Sequence, residues 1–180
     1  MVPTLYTERL ILRPISVEDA AQVQTIFPQW EIVRYLTNQV PWPYPPDGAL
    51  SFYRDVATPT MERGDAWHWT LRLKTDPDRI SGSIGLTRGD TNRGFWLDPA
   101  FQRQGLMLEA AECVTDFWFD VLEMPVMRVP KAVDNTVSSR ISEKQGMRMV
   151  ATEDRDYVSG RLPSEIWEIT RQEWLAKHQK

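Results

Sequence analysis

LDPAFQRQGLMLEA, residues 97–110, decides how the rest of the chain is read. An apolar run from Arg93 ends at Leu97, and Asp98-Pro99 stops it. Gln102, Arg103 and Gln104 lead to Gly105, and from Leu106 apolar residues recur at helical spacing to about residue 122. A strand that stops, a glycine and a helix that begins leave several backbone N–H groups without intrahelical partners, gathered in one hollow. That hollow suits an anion. Phosphate oxygens accept from such amides, the helix dipole adds attraction, and Arg103 supplies a charge-assisted donor. Gly105 allows the main chain to come close where a Cβ would collide.

Upstream, the period changes at Asp65 from helical to alternating. Trp67, Trp69, Leu71 and Leu73 fall on one side and His68, Thr70 and Arg72 on the other, which predicts a half-buried strand. Asp76-Pro77-Asp78 and Gly89-Asp90-Thr91-Asn92 read as turns. They divide this strand from a second one carrying Ile80, Ile84 and Leu86, and that from a third over Arg93–Leu97. Earlier still, residues 9–15 are β-like. Ser16-Val17-Glu18-Asp19 resembles a capping box ahead of a helix ending near Pro28. Residues 30–37 and the segment from Asp47 to Val56 are helical on either side of the Pro-rich loop 41–46. Downstream come a strand over Val126–Val133, a helix capped by Asn135 and closed at Gly146, strands over 147–158 and 164–170, and a last helix capped at Thr170 with Glu173. This order predicts a single domain, residues 1–180, of the α+β (mixed α/β) class.

Composition narrows the function classes. A net charge of -4 argues against nucleic acid as the main partner, because phosphate backbones need a concentrated basic face. No apolar run approaches the roughly 20 residues that span a bilayer, and MVPTLYTERL reads as no targeting signal, so no membrane partner and a cytoplasmic location are expected. Two histidines and one cysteine give no metal-ligand pattern, so no metal is expected, and Cys113 reads as a small apolar group on a helix face.

Three separated motifs carry a resemblance. Gln102-Arg103-Gln104-Gly105-Leu106-Met107 resembles the Gln/Arg-x-x-Gly-x-Gly/Ala pyrophosphate loop of the GCN5-related N-acetyltransferases (GNAT), with Met107 where many members have Gly or Ala. The flanks Gly94–Pro99 and Glu109-Ala110, with Thr7-Glu8-Arg9-Leu10-Ile11-Leu12-Arg13-Pro14, look like the RimJ/RimL branch. Asn135-Thr136-Val137-Ser138 and Glu143–Met147 are similar to the family's Asn-x-x-Ser…Glu-Lys-x-Gly-Phe. The resemblance implies the GNAT fold, a mostly antiparallel central sheet with a splayed parallel strand pair and flanking helices. It also implies acetyl-CoA as donor and an amine acceptor, such as a peptide or protein N-terminus or a small-molecule amine. By the same resemblance the pantetheine arm lies on the main chain of Trp96, Leu97 and Asp98. The pyrophosphate lies on Gln102, Arg103, Gln104, Gly105, Leu106 and Met107, Asn135 holds the pantetheine end, and Ser138 protonates the leaving thiolate. Pro130, in a strand interior, is expected where pairing with its neighbour has ended.

Direct transfer needs an oxyanion donor, assigned to the Leu97 amide, and a proton acceptor, for which Asp90 and His68 are the candidates. Trp30, Tyr35, Trp42, Tyr44 and Trp67 are the aromatic candidates for the acceptor pocket, which could stack an apolar or cationic group. A non-catalytic CoA-binding module of the same fold is the alternative reading, and the sequence leaves a homodimer open.

Overall fold

The computed structural model describes residues 1–178. In chain order the elements are β1 (Leu5–Tyr6), β2 (Leu10–Pro14), α1 (Ala20–Ile26), α2 (Trp30–Val33), α3 (Gly48–Phe52), α4 (Thr58–Glu62), β3 (Ala66–Leu73), β4 (Gly82–Thr87) and β5 (Arg93–Leu97). Then follow α5 (Leu106–Asp116), β6 (Val126–Ala132), α6 (Thr136–Lys144), β7 (Arg148–Tyr157), β8 (Gly160–Thr170) and α7 (Arg171–His178). Strands β1 to β5 form one antiparallel sheet in sequence order, and β6-β8-β7 form a second, also antiparallel. The two sheets come together along β5 and β6, where Asn92 N donates to Arg128 O at 2.8 Å and Arg128 N to Asn92 Oδ1 at 2.7 Å. Farther along, Lys131 Nζ sits 5.0 Å from the Phe95 ring centroid. Both contacts join residues 36 positions apart, so β5 and β6 run parallel.

Pro130 helps explain why this pair opens. After Asn92 N to Arg128 O, the next rung of a parallel ladder takes a donor two residues on, at Pro130, which has no N–H. On its other side β6 stays paired with β8, in register Pro130↔Ile166. The bond from Val133 N to Pro163 O fixes which residues of β6 face β8, the odd-numbered ones, so the nitrogen of Pro130 faces β5. Pairing has ended on that edge and continues on the opposite one.

Two apolar clusters cover the first sheet. One joins Leu10, Leu12, Trp67, Trp69, Leu71, Ile84 and Leu86 to α5 and to Met127, Val129 and Ile169 of the second sheet. The other joins α1, α2 and α3 to Ile15 and Ile80. Strand β3 is therefore covered on both faces rather than half-buried: Thr70 and Arg72 are buried, and Arg72 pairs with Asp19 at 2.5 Å. This corrects the capping-box reading of Asp19, whose carboxylate is drawn to the buried guanidinium; Ser16 alone accepts from the Glu18 amide. The long helix expected over 106–122 leaves the α form after Asp116 and makes a π turn over Phe117–Val121. The wider turn rotates the chain enough that Phe117, Trp118 and Phe119, three consecutive residues, are all buried. At the other end of the chain, Thr170 and Glu173 cap α7 reciprocally, each side chain bonding the other's amide.

Candidate active site

Backbone parity defines the cleft. Asp98 N bonds Ser81 O at 2.8 Å and Thr87 N bonds Asn92 O at 3.0 Å, so the positions of β5 that face β4 are Gly94 and Trp96. The amides of Phe95 and Leu97 point the opposite way, toward the gap before β6. Leu97 thus has the free N–H expected of it. Trp96 and Asp98 do not: the main chain of each is turned to β4, the Trp96 indole packs edge-on to Phe27 at 5.4 Å, and the Asp98 carboxylate accepts from Ala100 N. Phe95 takes their place as the second cleft-facing amide, a position strand alternation alone identifies. The Leu97 carbonyl is already held by Gln102 Nε2 at 3.1 Å.

Beyond Leu97 the chain makes the hollow read from sequence. Arg103 (φ 62°) and Gly105 (φ 77°) both adopt left-handed backbone, turning the chain sharply into α5. Among the described residues, no acceptor meets the amides of Arg103, Gln104, Gly105, Leu106, Met107 or Leu108, whereas Gln102 N and Glu109 N on either side are bonded. Six adjacent free donors at a helix start are an arrangement suited to an anion. The side chains of Gln102, Arg103 and Gln104 are exposed, while those of Leu106 and Met107 are buried in the core. Met107 therefore substitutes for a smaller residue without filling the hollow, and only its backbone is offered there.

The amino-terminal motif braces this loop. Arg9 donates from Nε to Glu109 Oε2 at 2.7 Å, from its amide to Glu109 Oε1 at 2.8 Å, and from Nη1 to the Gln104 carbonyl at 2.8 Å; Thr7 Oγ1 also donates to Glu109. Burial alone would raise the Glu109 carboxyl, but the bonds from Thr7 and Arg9 and the guanidinium charge outweigh it and hold it below the usual carboxylate range.

Across the cleft, Asn135 Oδ1 accepts from the Ser138 amide at 3.4 Å as a helix cap. Ser138 is buried, and its Oγ accepts a 2.5 Å hydrogen bond from Lys131 Nζ. Lys131 was not among the sequence candidates, although alternation marks it: Met127, Val129 and Lys131 share one face of β6, and all three are buried. Burial pushes the Lys131 amine well below its ordinary range, and nearby Arg93 adds to the effect. Arg93 is itself buried, which lowers it to about 10; its Nη1 donates to Thr115 Oγ1 at 2.8 Å, while Nε and Nη2 have no partner among the described residues.

The proton-acceptor candidates fare differently. Asp90 is exposed in the turn preceding β5, at the end of the strand remote from the loop. His68 lies over Gly85, 6.0 Å from the Phe52 ring, and burial lowers it to about 4. Of the acceptor-side aromatics, Trp30 and Trp42 stand 5.7 Å apart and are 45% and 42% exposed, and Tyr35 carries Arg34 over its ring at 4.8 Å. Tyr44 packs on Phe27. Trp67 leaves the set: it is buried against Phe117 and Trp118 on the far face of β3, as the alternation of its strand requires. Cys113 is half-buried on α5, and burial, with Asp116 and Glu109 nearby, raises its thiol to about 11.

A strand pair that opens and a row of free amides at the mouth of the opening thus make up the cleft. The acetyltransferase (GNAT) domain family matches residues 9–148, and the chain belongs to it; it is an acetyltransferase. A relative described as the uncharacterized N-acetyltransferase YoaA, from Bacillus subtilis (strain 168), is 29% identical over 156 residues, which cover 82% of this chain and 84% of the relative. Among solved structures, a ribosomal-protein-alanine acetyltransferase from Vibrio fischeri has a TM-score of 0.80 at 15% identity, covering 96% of this chain and 98% of that one. A RimL ribosomal-protein acetyltransferase in complex with coenzyme A has a TM-score of 0.77 at 14% identity, covering 94% and 97%. The microcin self-immunity acetyltransferase MccE, in complex with acetyl-CoA and AMP, has 0.76 at 15%, covering 91% and 93%. At these identities the structural likenesses establish the fold alone. No helix among the described residues is long and apolar enough to cross a membrane.

Proposed function

We propose that the chain, acting as one domain over residues 1–180, is an acetyl-CoA-dependent N-acetyltransferase that moves the acetyl group directly to a primary amine. The observation that carries this reading is the continuity of free donors from the loop into the cleft. Six amides from Arg103 to Leu108 have no acceptor among the described residues, and the Leu97 and Phe95 amides continue the row along the open edge of β5. The loop amides and Arg103 bind the diphosphate of the donor. The β5 edge receives its extended arm as a neighbouring strand would, with Asn135 at the opposite wall. The Leu97 amide then donates to the thioester oxygen, where charge develops as the amine attacks. Ser138 supplies a proton to the departing thiolate. A proton must also leave the attacking amine. With Asp90 exposed at the far end of β5 and His68 too weak a base, solvent at the cleft mouth takes it. Trp30 and Trp42, half-exposed and adjacent, offer an aromatic surface for the acceptor, either a peptide N-terminus or a small-molecule amine.

The test is paired. Calorimetry with coenzyme A measures binding, and thiol release from acetyl-CoA is followed across peptides and small amines. Binding with amine-dependent thiol release supports the proposal. Binding without release from any amine overturns the transferase step, and absence of binding overturns the donor site.

A further inference from the structure

Among the described residues Lys131, a buried lysine, makes one hydrogen bond, to the Ser138 hydroxyl at 2.5 Å, and no ion pair. Lysines are almost never fully buried without a partner charge, because removing an ammonium from water costs far more than one neutral hydrogen bond returns. Arg93, which has no ion-pair partner among the described residues, acts on it, and the cross-strand carboxylate, Glu165, accepts from Ser139 and Trp167 instead of from Lys131. A second charge beside Arg93, with Glu165 engaged elsewhere, is disfavoured, and the amine is the group that can shed its proton. Methionine or leucine would fill the volume at no such cost. The position of the amine is also specific: its neighbours are Phe95 on the open edge of β5 and Ser138 on the opposite wall.

We propose that Lys131 is an acetyl acceptor, a self-modification site inside the donor cleft. The inference rests on the donor placement proposed above. If the Ser138 hydroxyl reaches the thioester sulfur, Lys131 Nζ, one hydrogen bond behind that hydroxyl, lies within reach of the carbon bonded to the sulfur. The step balances without a co-reactant. The Nζ lone pair attacks the thioester carbon, a C–N bond forms and the C–S bond breaks. The nitrogen then loses a proton to Ser138 Oγ through their hydrogen bond, while Ser138 passes its own proton to the thiolate, which leaves as the thiol. The product, an amide at Lys131, no longer has a nucleophilic nitrogen and adds bulk beside Phe95, so the modified protein binds donor less well. Acceptor-free protein exposed to acetyl-CoA switches itself off.

The experiment incubates the full chain with acetyl-CoA and no amine, then follows intact mass, peptide-mapped acetylation and residual activity in the same samples. One acetyl group at Lys131 is expected, at an occupancy at least about tenfold above that of exposed Lys74, Lys144 and Lys177, because proximity replaces a bimolecular encounter. Its rate per molecule is independent of protein concentration, and activity falls in step with it. Lys131→Arg, which keeps the hydrogen-bond donor and removes the nucleophile, abolishes the label. Should that variant fail to fold, the wild-type peptide map decides alone. Labelling spread evenly over the lysines, or a rate that rises with protein concentration, overturns the proposal. Coenzyme A binding with amine turnover but no label at Lys131 overturns this inference and leaves the transferase intact; absence of coenzyme binding removes both.

Discussion

Arg9 and Glu109 lie 100 positions apart and meet at 2.7 Å, so the first strand region and the first turn of α5 are locked together where the anion hollow forms. Arg9 goes on to hold the Gln104 carbonyl, which orients the peptide unit whose other end is the Gly105 amide. The contact shapes the loop more than it stabilises the fold, since the Arg9 side chain is 44% exposed and exposed pairs contribute little. Arg9→Met and Glu109→Gln are each expected to weaken coenzyme A binding by roughly 1 kcal/mol, about fivefold in Kd, with little change in Tm. The double variant should cost less than the sum of the two, as calorimetry on all three will show. Glu109 also sets a pH limit. Its carboxyl is held low in the fold, so its contribution is complete above the unfolded value of about 4.3 and fades as pH falls through the lower folded one.

Gly105 tests the loop by another route. At φ 77° a Cβ would find only Arg9 Nη2, at 3.5 Å, so space is available and the penalty is backbone strain alone. Gly105→Ala should lower stability by about 1–2 kcal/mol and weaken coenzyme binding. Gly105→Asn, which tolerates left-handed backbone, should recover most of both by the same thermal and calorimetric measurements.

His68 is held near 4 by burial, against 6.5 when exposed. Between those values the unfolded chain binds the extra proton and the fold does not. Stability from this group therefore rises with pH from about 4 and is complete above 6.5. His68→Asn should flatten the stability curve across that window, as urea unfolding at several pH values will show. The pH–rate profile near neutrality should be unchanged, and a lost acidic limb would restore His68 as the base.

Pro130→Val returns a donor to the β6 edge of the cleft. The new amide faces β5 and extends pairing past Arg128, which narrows the opening. Coenzyme affinity should fall while Tm holds or rises, and an unchanged Kd would show that the proline does not keep the strands apart.

The loop, the Asn135 cap, the Thr170–Glu173 cap and the meander were all legible, because each depends on residues within a few positions of one another. Strand alternation is legible too: it gives Phe95 the cleft-facing amide that Trp96 lacks, and it puts Lys131 on the buried face of β6. What alternation withholds is the neighbour that covers a face. Asp19 reads locally as a cap residue until Arg72, 53 positions away, claims its carboxylate. Trp67 reads as a pocket aromatic until Phe117 and Trp118 cover it through the π turn. Such pairings are set by long-range packing of elements, which no short window of sequence contains.

The donor site is tested most directly by a crystal structure with coenzyme A bound. The diphosphate oxygens should lie about 3 Å from the amides between Arg103 and Leu108, with the pantetheine arm along the open β5 edge and its thiol end near the Leu97 amide and Ser138. A diphosphate seated anywhere else, with those amides facing only water, would contradict the account.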